Sequence, residues 1–143
     1  MIEDFEKFEE NSRMRKKHAS FYIHQNRATL KYSFECLSIQ SELFGASSEP
    51  YDTYEEANAL IEGVINASQD ENSYEKHQDR KGRYYFFLRS NTGSIIFQSR
   101  KCDSKLGLTQ LIRQFKNQLP EADYEKIESD KKTESKPGNK RYY

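Results

Sequence analysis

The residues most suggestive of chemistry lie in one aromatic and basic stretch, residues 83–89. Tyr84, Phe86 and Leu88 recur at every second position, the period of a β-strand, so they share one face. Flat rings beside cationic groups bind protein surfaces or stack on the bases of single-stranded nucleic acid. The residues of the opposite face form the candidate binding site, and they are Arg83, Tyr85, Phe87 and Arg89. Phe97 extends this patch if the register of its own strand permits.

Two other interpretations of this stretch compete with protein binding. Lys81–Leu88 is similar to the aromatic strand of an RNA-recognition motif, but Arg83 stands where that motif has an aromatic residue. Alternatively, a charged N-terminal arm, residues 1–18, folds over the face through Phe5 and Phe8 and covers it. The sequence leaves covering and binding equally open.

Catalytic and metal-binding groups are not evident in the sequence. Nothing pairs a nucleophile with a neighbouring base, and the glycines form no phosphate-binding loop. His24 and His77 occupy matching positions and could approach each other across a pseudo-twofold axis, but a matching third metal ligand is lacking. Cys36 and Cys102 lack zinc-site spacing, so we expect both to be buried or half-buried packing residues. We therefore expect a non-enzymatic protein with no catalytic residue, cofactor, metal site or small-molecule substrate.

The charge balance of the chain limits its partners. Lysine plus arginine number 23, and aspartate plus glutamate also number 23, so no net field attracts nucleic acid or an anionic membrane. No apolar run is long enough to span a bilayer, and the N-terminus has acids where a secretory signal has bases. We expect a cytoplasmic protein that contacts no membrane.

An internal repeat organises the middle of the chain. Residues 32–48 align without a gap with residues 84–100, and a one-residue gap then aligns the two helix faces. Upstream, residues 21–26 match residues 74–79. Matched pairs in the two copies include Phe34 with Phe86, Ser47 with Ser99, Ala57 with Leu108, and Val64 with Phe115. Each copy predicts three strands, a helix and a further strand.

Turn and cap residues divide each copy into elements. Asn91–Gly93 predicts a hairpin turn, and Ser38–Ser41 occupies the same place less obviously. A capping box, either Asp52 with Glu55 or Thr53 with Glu56, begins a helix that runs to about Ala67. The second helix is predicted to begin near Asp103 or Ser104 and to stop at Pro120. Its predicted apolar stripe is Leu108, Leu111, Ile112, Phe115 and Leu119.

The second copy resembles a known family. The pattern Gly82-x-Tyr84-x-Phe86-x-Leu88-x-Ser90-x-x-Gly93-x-Ile95-Ile96-x-x-Ser99 is similar to that of the YegP-like bacterial proteins of unknown function, and the resemblance covers roughly residues 19–128. It implies an α+β fold in which two tandem β-β-β-α-β units share one antiparallel sheet, with two helices on one face and the closing strands exchanged. Asn72–Gln78 would then close the first unit and lead into the second, and Asp123–Glu128 would cross back to the first. The family brings no known activity, catalytic residue or cofactor.

These observations predict one compact domain between two charged ends. We expect the N-terminal arm at 1–18, the first unit at 19–72, and the second unit at 73–128 with the strand 73–79 shared. Residues 129–143 read as a disordered basic tail, because ordering costs about 1–2 kcal/mol per residue and little apolar burial would offset it. The predicted function is a binding or scaffold module that uses the helix-free sheet face for a protein partner or a second copy. The alternative is single-stranded nucleic-acid binding through strand 81–89 and the basic tail.

Overall fold

A computed structural model describes residues 18–125 as one six-stranded sheet with two helices. In chain order the elements are β1 (Ser20–Gln25), β2 (Tyr32–Leu37), β3 (Leu43–Ser47), α1 (Tyr54–Ser68), β4 (Tyr74–Gln78), β5 (Tyr84–Arg89), β6 (Ile95–Ser99) and α2 (Lys105–Gln118). The strand order is β1-β2-β3-β6-β5-β4, and every neighbouring pair is antiparallel. The predicted α+β class is confirmed, with one antiparallel sheet and two helices. Neither helix has both the length and the apolar character needed to cross a bilayer, within the described range.

The hairpin turns of the two halves share one backbone geometry, although only the second turn contains a glycine. Gly93 has φ 91°, and Ser41 adopts the same left-handed region with φ 66°. The N–H of Ser90 donates to Ser94 O at 2.8 Å, and the N–H of Ser38 donates to Glu42 O at 2.7 Å. The shared turn explains why Ser38–Ser41 forms a hairpin without a glycine.

Side-chain caps fix where each helix begins. Thr53 accepts from the N–H of Glu56, whose carboxylate accepts from the N–H of Thr53, so the Thr53 capping box forms rather than the Asp52 alternative. Ser104 caps α2 by accepting from the N–H of Gly107 at 2.9 Å. α2 ends at Gln118, and a short 3₁₀ turn, Leu119–Glu121, carries the chain past Pro120.

The two halves of the sheet join where β3 meets β6, and the joint depends on one small residue. Gly45 lies opposite Ser99 in the register. A Cβ on Gly45 would meet the carbonyl oxygen of Gln98, and it would lie 2.7 Å from the nearest atom of the Phe97 ring. Phe97 is fully buried and stacks on Phe115 of α2, with ring centroids 5.1 Å apart. Absence of a side chain at Gly45 therefore makes room for the aromatic core.

Phe115 of α2 contacts several aromatic rings of the sheet and forms the centre of the aromatic core. Its ring contacts Phe44 at 5.3 Å and Phe86 at 5.4 Å between centroids, mostly edge to face, an arrangement that favours aromatic pairs. α1 contributes Ala57, Ile61 and Val64 to the same core. The helices therefore cover one face of the sheet. Of the predicted α2 stripe, Ile112 is only half-buried.

The two outer strands differ in what lies beside them. β4 pairs with β5 and with no other strand of the described range, so no pairing of β4 with the first three strands is observed. Beside β1, Asp123 forms an isolated parallel bridge with Ser20: the N–H of Phe21 donates to Asp123 O at 2.9 Å. The predicted strand Asp123–Glu128 lies partly outside the described residues, as do nearly all of the predicted arm and the whole tail.

We expect Gly45→Ala to destabilise the protein, because its Cβ has no space between Gln98 and Phe97. Overpacking of this kind costs about 1–3 kcal/mol or more. The matched control is Gly63→Ala in α1, where a Cβ would meet nothing within 4 Å and alanine favours a helix by about 0.5–1 kcal/mol. Urea unfolding should lower the midpoint for the first variant and raise it for the second. Equal effects in the two variants would contradict the close contact of Gly45 with Gln98 and Phe97.

Ser41→Gly should stabilise the protein. A non-glycine residue in the left-handed region costs roughly 1–2 kcal/mol, which glycine removes. The greater freedom of glycine in the unfolded chain reduces this gain by about 0.4–1 kcal/mol. The reciprocal change Gly93→Ser should destabilise by a similar amount. Thermal unfolding of both variants measures the effect, and a lower melting temperature for Ser41→Gly would show that the serine is preferred there for another reason.

Candidate functional site

The candidate site is an aromatic cluster on the helix-free face of β4 and β5. Register pairs His77 with Tyr85 and Glu75 with Phe87, so the two strands present these side chains together. Between ring centroids, His77 stacks on Tyr85 at 5.6 Å and contacts Phe87 edge-on at 5.0 Å. The Tyr85 and Phe87 centroids are 5.4 Å apart. We call His77, Tyr85 and Phe87 the ring cluster. Tyr85 and Phe87 are half-buried. Phe86 and Leu88 of the same strand point to the opposite face and are fully buried in the core.

Glu75 connects the ring cluster to Arg89. Its carboxylate accepts from Arg89 Nε at 2.6 Å and from His77 Nε2 at 2.5 Å. The hydrogen bond from Arg89, followed by that from His77, holds the pKa of Glu75 below its ordinary value. Arg89 also donates from Nη1 to the carbonyl oxygen of Gly93 at 2.6 Å. The guanidinium is thus oriented by the turn and by an acid on the neighbouring strand.

Asp79 performs the same role at the other end of β5. Its carboxylate accepts from the backbone N–H of Arg83 at 2.9 Å and contacts the Arg83 guanidinium and the Lys101 ammonium at 3.2 and 3.1 Å. The Arg83 backbone hydrogen bond, assisted by Lys101, holds the pKa of Asp79 well below its ordinary value. Lys101 also lies over the Tyr85 ring, 5.2 Å from its centroid, in cation–π geometry.

The structure therefore brings the four predicted residues to one surface and surrounds them with partners that the sequence did not suggest. Arg83, Tyr85, Phe87 and Arg89 are joined by Glu75, His77, Asp79 and Lys101. Both arginines are paired with carboxylates, and the three cations Arg83, Arg89 and Lys101 face the two acids Glu75 and Asp79. The alignment of residues 21–26 with 74–79 indicated a strand before β5, but not which acids it would place beside the arginines.

Two possibilities that the sequence left open for Phe97 and the histidines do not occur. Phe97 lies in the core and not on the helix-free face, because a bulge between Leu88 and Arg89 shifts the β5–β6 register and leaves Gln98 opposite Phe87. His24 and His77 do not approach each other, because β1 and β4 lie at opposite ends of the sheet.

Metal-ligand clusters and exposed cysteines are both absent from the described part of the chain. No group of three or more histidine, cysteine or acidic side chains within residues 18–125 could hold a metal ion. Cys36 and Cys102 are both free and buried, as predicted. Burial raises the pKa of the Cys36 thiol far above its ordinary value, so that thiol is held in its unreactive protonated form.

The helix-free face of the first half has a different character. Its register pairs Tyr22 with Glu35 and His24 with Ser33, and the positions that match Tyr85 and Phe87 are Ser33 and Glu35. Tyr22 is exposed at this end of the face, whereas three mutually contacting rings lie at the β4–β5 end. A cluster of contacting rings offers a larger apolar surface for a partner than a single ring does.

Comparison with known proteins identifies the fold. No protein-family model matches the chain, and no curated protein matches it. Among solved structures, the chain is similar to the UPF0339 protein SO3888 from Shewanella oneidensis, with a TM-score of 0.65 and 21% identity over 71% of this chain and 84% of that one.

It is also similar to yegP from E. coli, a protein of unknown function, with a TM-score of 0.67 and 22% identity over 73% of this chain and 89% of that one. The TM-scores establish a shared fold, and identities of 21% and 22% do not establish a shared activity. The resemblance predicted from the sequence is confirmed in structure, and this chain has the fold of the YegP-like bacterial proteins.

Proposed function

We propose that the chain is a non-enzymatic binding or scaffold module whose helix-free sheet face contacts a protein partner or a second copy of itself. The ring cluster is the observation that supports this most directly. Tyr85 and Phe87 are not needed to fill the core, because Phe86 and Leu88 of the same strand already do so. Half-exposed rings held by a salt-bridged frame form a pre-organised apolar contact, which lowers the entropy cost of binding.

Charge favours a protein partner over nucleic acid at this face. Single-stranded nucleic acid needs cationic groups available to phosphates beside the stacking rings. Here the Arg89 and Arg83 side chains already bind Glu75 and Asp79, and a phosphate would have to compete with those carboxylates. A protein surface with a central apolar anchor and a polar rim matches rings surrounded by paired charges.

We further propose that the scaffold is a tandem pair of units, at 19–72 and 73–128, with exchange of the closing segments. Equivalent hydrogen bonds in the two halves support this division: the N–H of Phe34 donates to Ser47 Oγ at 3.2 Å, and that of Phe86 to Ser99 Oγ at 2.9 Å. Bulges fall at equivalent positions in both halves, after Cys36 and after Leu88. The bridge from Asp123 to β1 supports the return of the last segment to the first unit.

A photo-crosslinking side chain at Gln98, which lies opposite Phe87 on this face, tests the proposal in the full chain. Gln98→p-benzoylphenylalanine should give covalent protein adducts in the producing cells, either at twice the chain mass or with another protein. The same probe at Leu106, an exposed residue of α2, is the matched control and should give none. Adducts with nucleic acid would instead favour the alternative function, and irradiation of the purified chain with single-stranded nucleic acid should then give a yield that falls between 50 and 200 mM salt.

Replacing Tyr85 and Phe87 with serine in the Gln98 probe variant should abolish the adducts and leave the fold intact. Removal of two half-buried rings costs about 1–3 kcal/mol of stability in total, less than a typical domain possesses. Leu106→Ser in the same background is the control and should keep the adducts. Loss of the circular dichroism of the folded chain in the double variant would show that these rings belong to the core.

A further inference from the structure

A groove runs along the free side of β4, between that strand and α2. It consists of two adjoining hollows of about 430 and 420 Å³, and Lys76 and Thr109 line both of them. Tyr74, Lys76 and Gln78 alternate along β4 with Glu75 and His77, so the groove faces away from Tyr85 and Phe87. His77 is the one residue of the ring cluster that also lines it. The groove therefore provides a second surface that the proposed function does not use.

Basic side chains dominate the rim of this groove. Its four cationic residues are Lys76, Lys105, Arg113 and Lys116, and its single acid is Glu71, which lies 2.6 Å from Lys116. Within residues 18–125, the other three cationic side chains form no ion pair. A lysine on an edge strand can serve only to discourage sheet-to-sheet pairing, but that role needs Lys76 alone and does not account for the two further unpaired cations that α2 adds to the groove.

The other edge of the sheet shows what such a groove can hold. There, the chain's own segment Asp123–Glu125 bonds to β1 and to α1, and it lines a hollow of about 560 Å³ together with them. Tyr54 donates its hydroxyl to the Glu125 carboxylate at 2.5 Å, and the Asn58 side chain donates to the Glu125 carbonyl oxygen at 2.6 Å. The Tyr124 ring packs edge-on against Phe21, with centroids 6.4 Å apart. The occupant has the order acid, aromatic, acid.

The groove beside β4 presents corresponding groups in corresponding places. The alignment of the two halves matches Tyr54 with Lys105 and Asn58 with Thr109, and it matches Phe21 with Tyr74. An ammonium group and a hydroxyl thus replace the phenol and the amide that hold Glu125. The Tyr74 N–H is occupied by the carbonyl oxygen of Glu71, so an added segment would pair further along β4, from Lys76 onward, where Lys105 lines the groove.

We propose that the β4–α2 groove binds an extended acidic peptide segment of a partner protein, with the order acid–aromatic–acid, by addition to the edge of the sheet. Backbone pairing with an edge strand gives affinity to such complexes, and side-chain pockets give specificity. Acidic side chains of the peptide would bind Lys105 and Arg113, and its aromatic ring would lie against Tyr74 and Ile112.

The test uses a fluorescein-labelled peptide with the sequence Glu-Ala-Asp-Tyr-Glu-Lys-Ile-Glu, identical to residues 121–128, and the full chain. Fluorescence anisotropy should show saturable binding in the micromolar range. The double variant Lys105→Glu with Arg113→Glu should weaken binding at least 10-fold. A peptide with asparagine and glutamine in place of its acids should not bind.

The matched control is Arg27→Glu with Lys31→Glu, which changes the charge equally at the opposite end of the sheet and should bind as the unmodified chain does. The variant Tyr85→Ser with Phe87→Ser should also bind normally, which separates this proposal from the ring cluster. Absence of saturable binding, or equal weakening by the two charge-reversal variants, would overturn the groove assignment. Binding only by Asp4→Lys with Glu6→Lys would assign the groove to the chain's own Asp4–Glu6 stretch and would overturn the partner peptide.

Discussion

The close approach of Phe97 to the bare backbone of Gly45 is the contact on which the rest of the sheet depends. It lies at the β3–β6 pair, the one place where the first three strands join the last three. Because no side chain stands at Gly45, the Phe97 ring can lie flat beneath Phe115, and both halves share one core. That joint also determines the ends of the sheet: with β3 and β6 in the middle, β1 and β4 must be the edges.

Local periodicity predicted the strands and helices well, because each pattern depends on neighbours along the chain. Tyr84, Phe86 and Leu88 alternate as expected up to the bulge that follows Leu88. Past the bulge, the alternation no longer indicates the face, and so Phe97 lies in the core instead of beside Tyr85. A bulge is determined by contacts between strands, and the sequence of one strand does not contain that information.

The candidate site was predictable to the same extent. Arg83, Tyr85, Phe87 and Arg89 are successive same-face residues of one strand, so they could be grouped from spacing alone. Their charge partners could not. Glu75 is fourteen residues from Arg89 along the chain and meets it only because β4 and β5 pair in one register. The possible approach of His24 to His77 does not occur for a related reason, since strand order is a property of the whole sheet.

The two halves repeat their interior and differ at their surfaces. Equivalent hydrogen bonds and bulges recur in both, whereas the helix-free face has Ser33 and Glu35 in one half where the other half has Tyr85 and Phe87. At the edges, the segment Asp123–Glu125 bonds to β1 and α1, and the groove beside β4 has cationic side chains without such a segment in the described range. A core position is constrained by neighbours on every side, but a surface position is constrained by few. The surfaces of the two halves can therefore differ in charge and shape while the shared core keeps its packing.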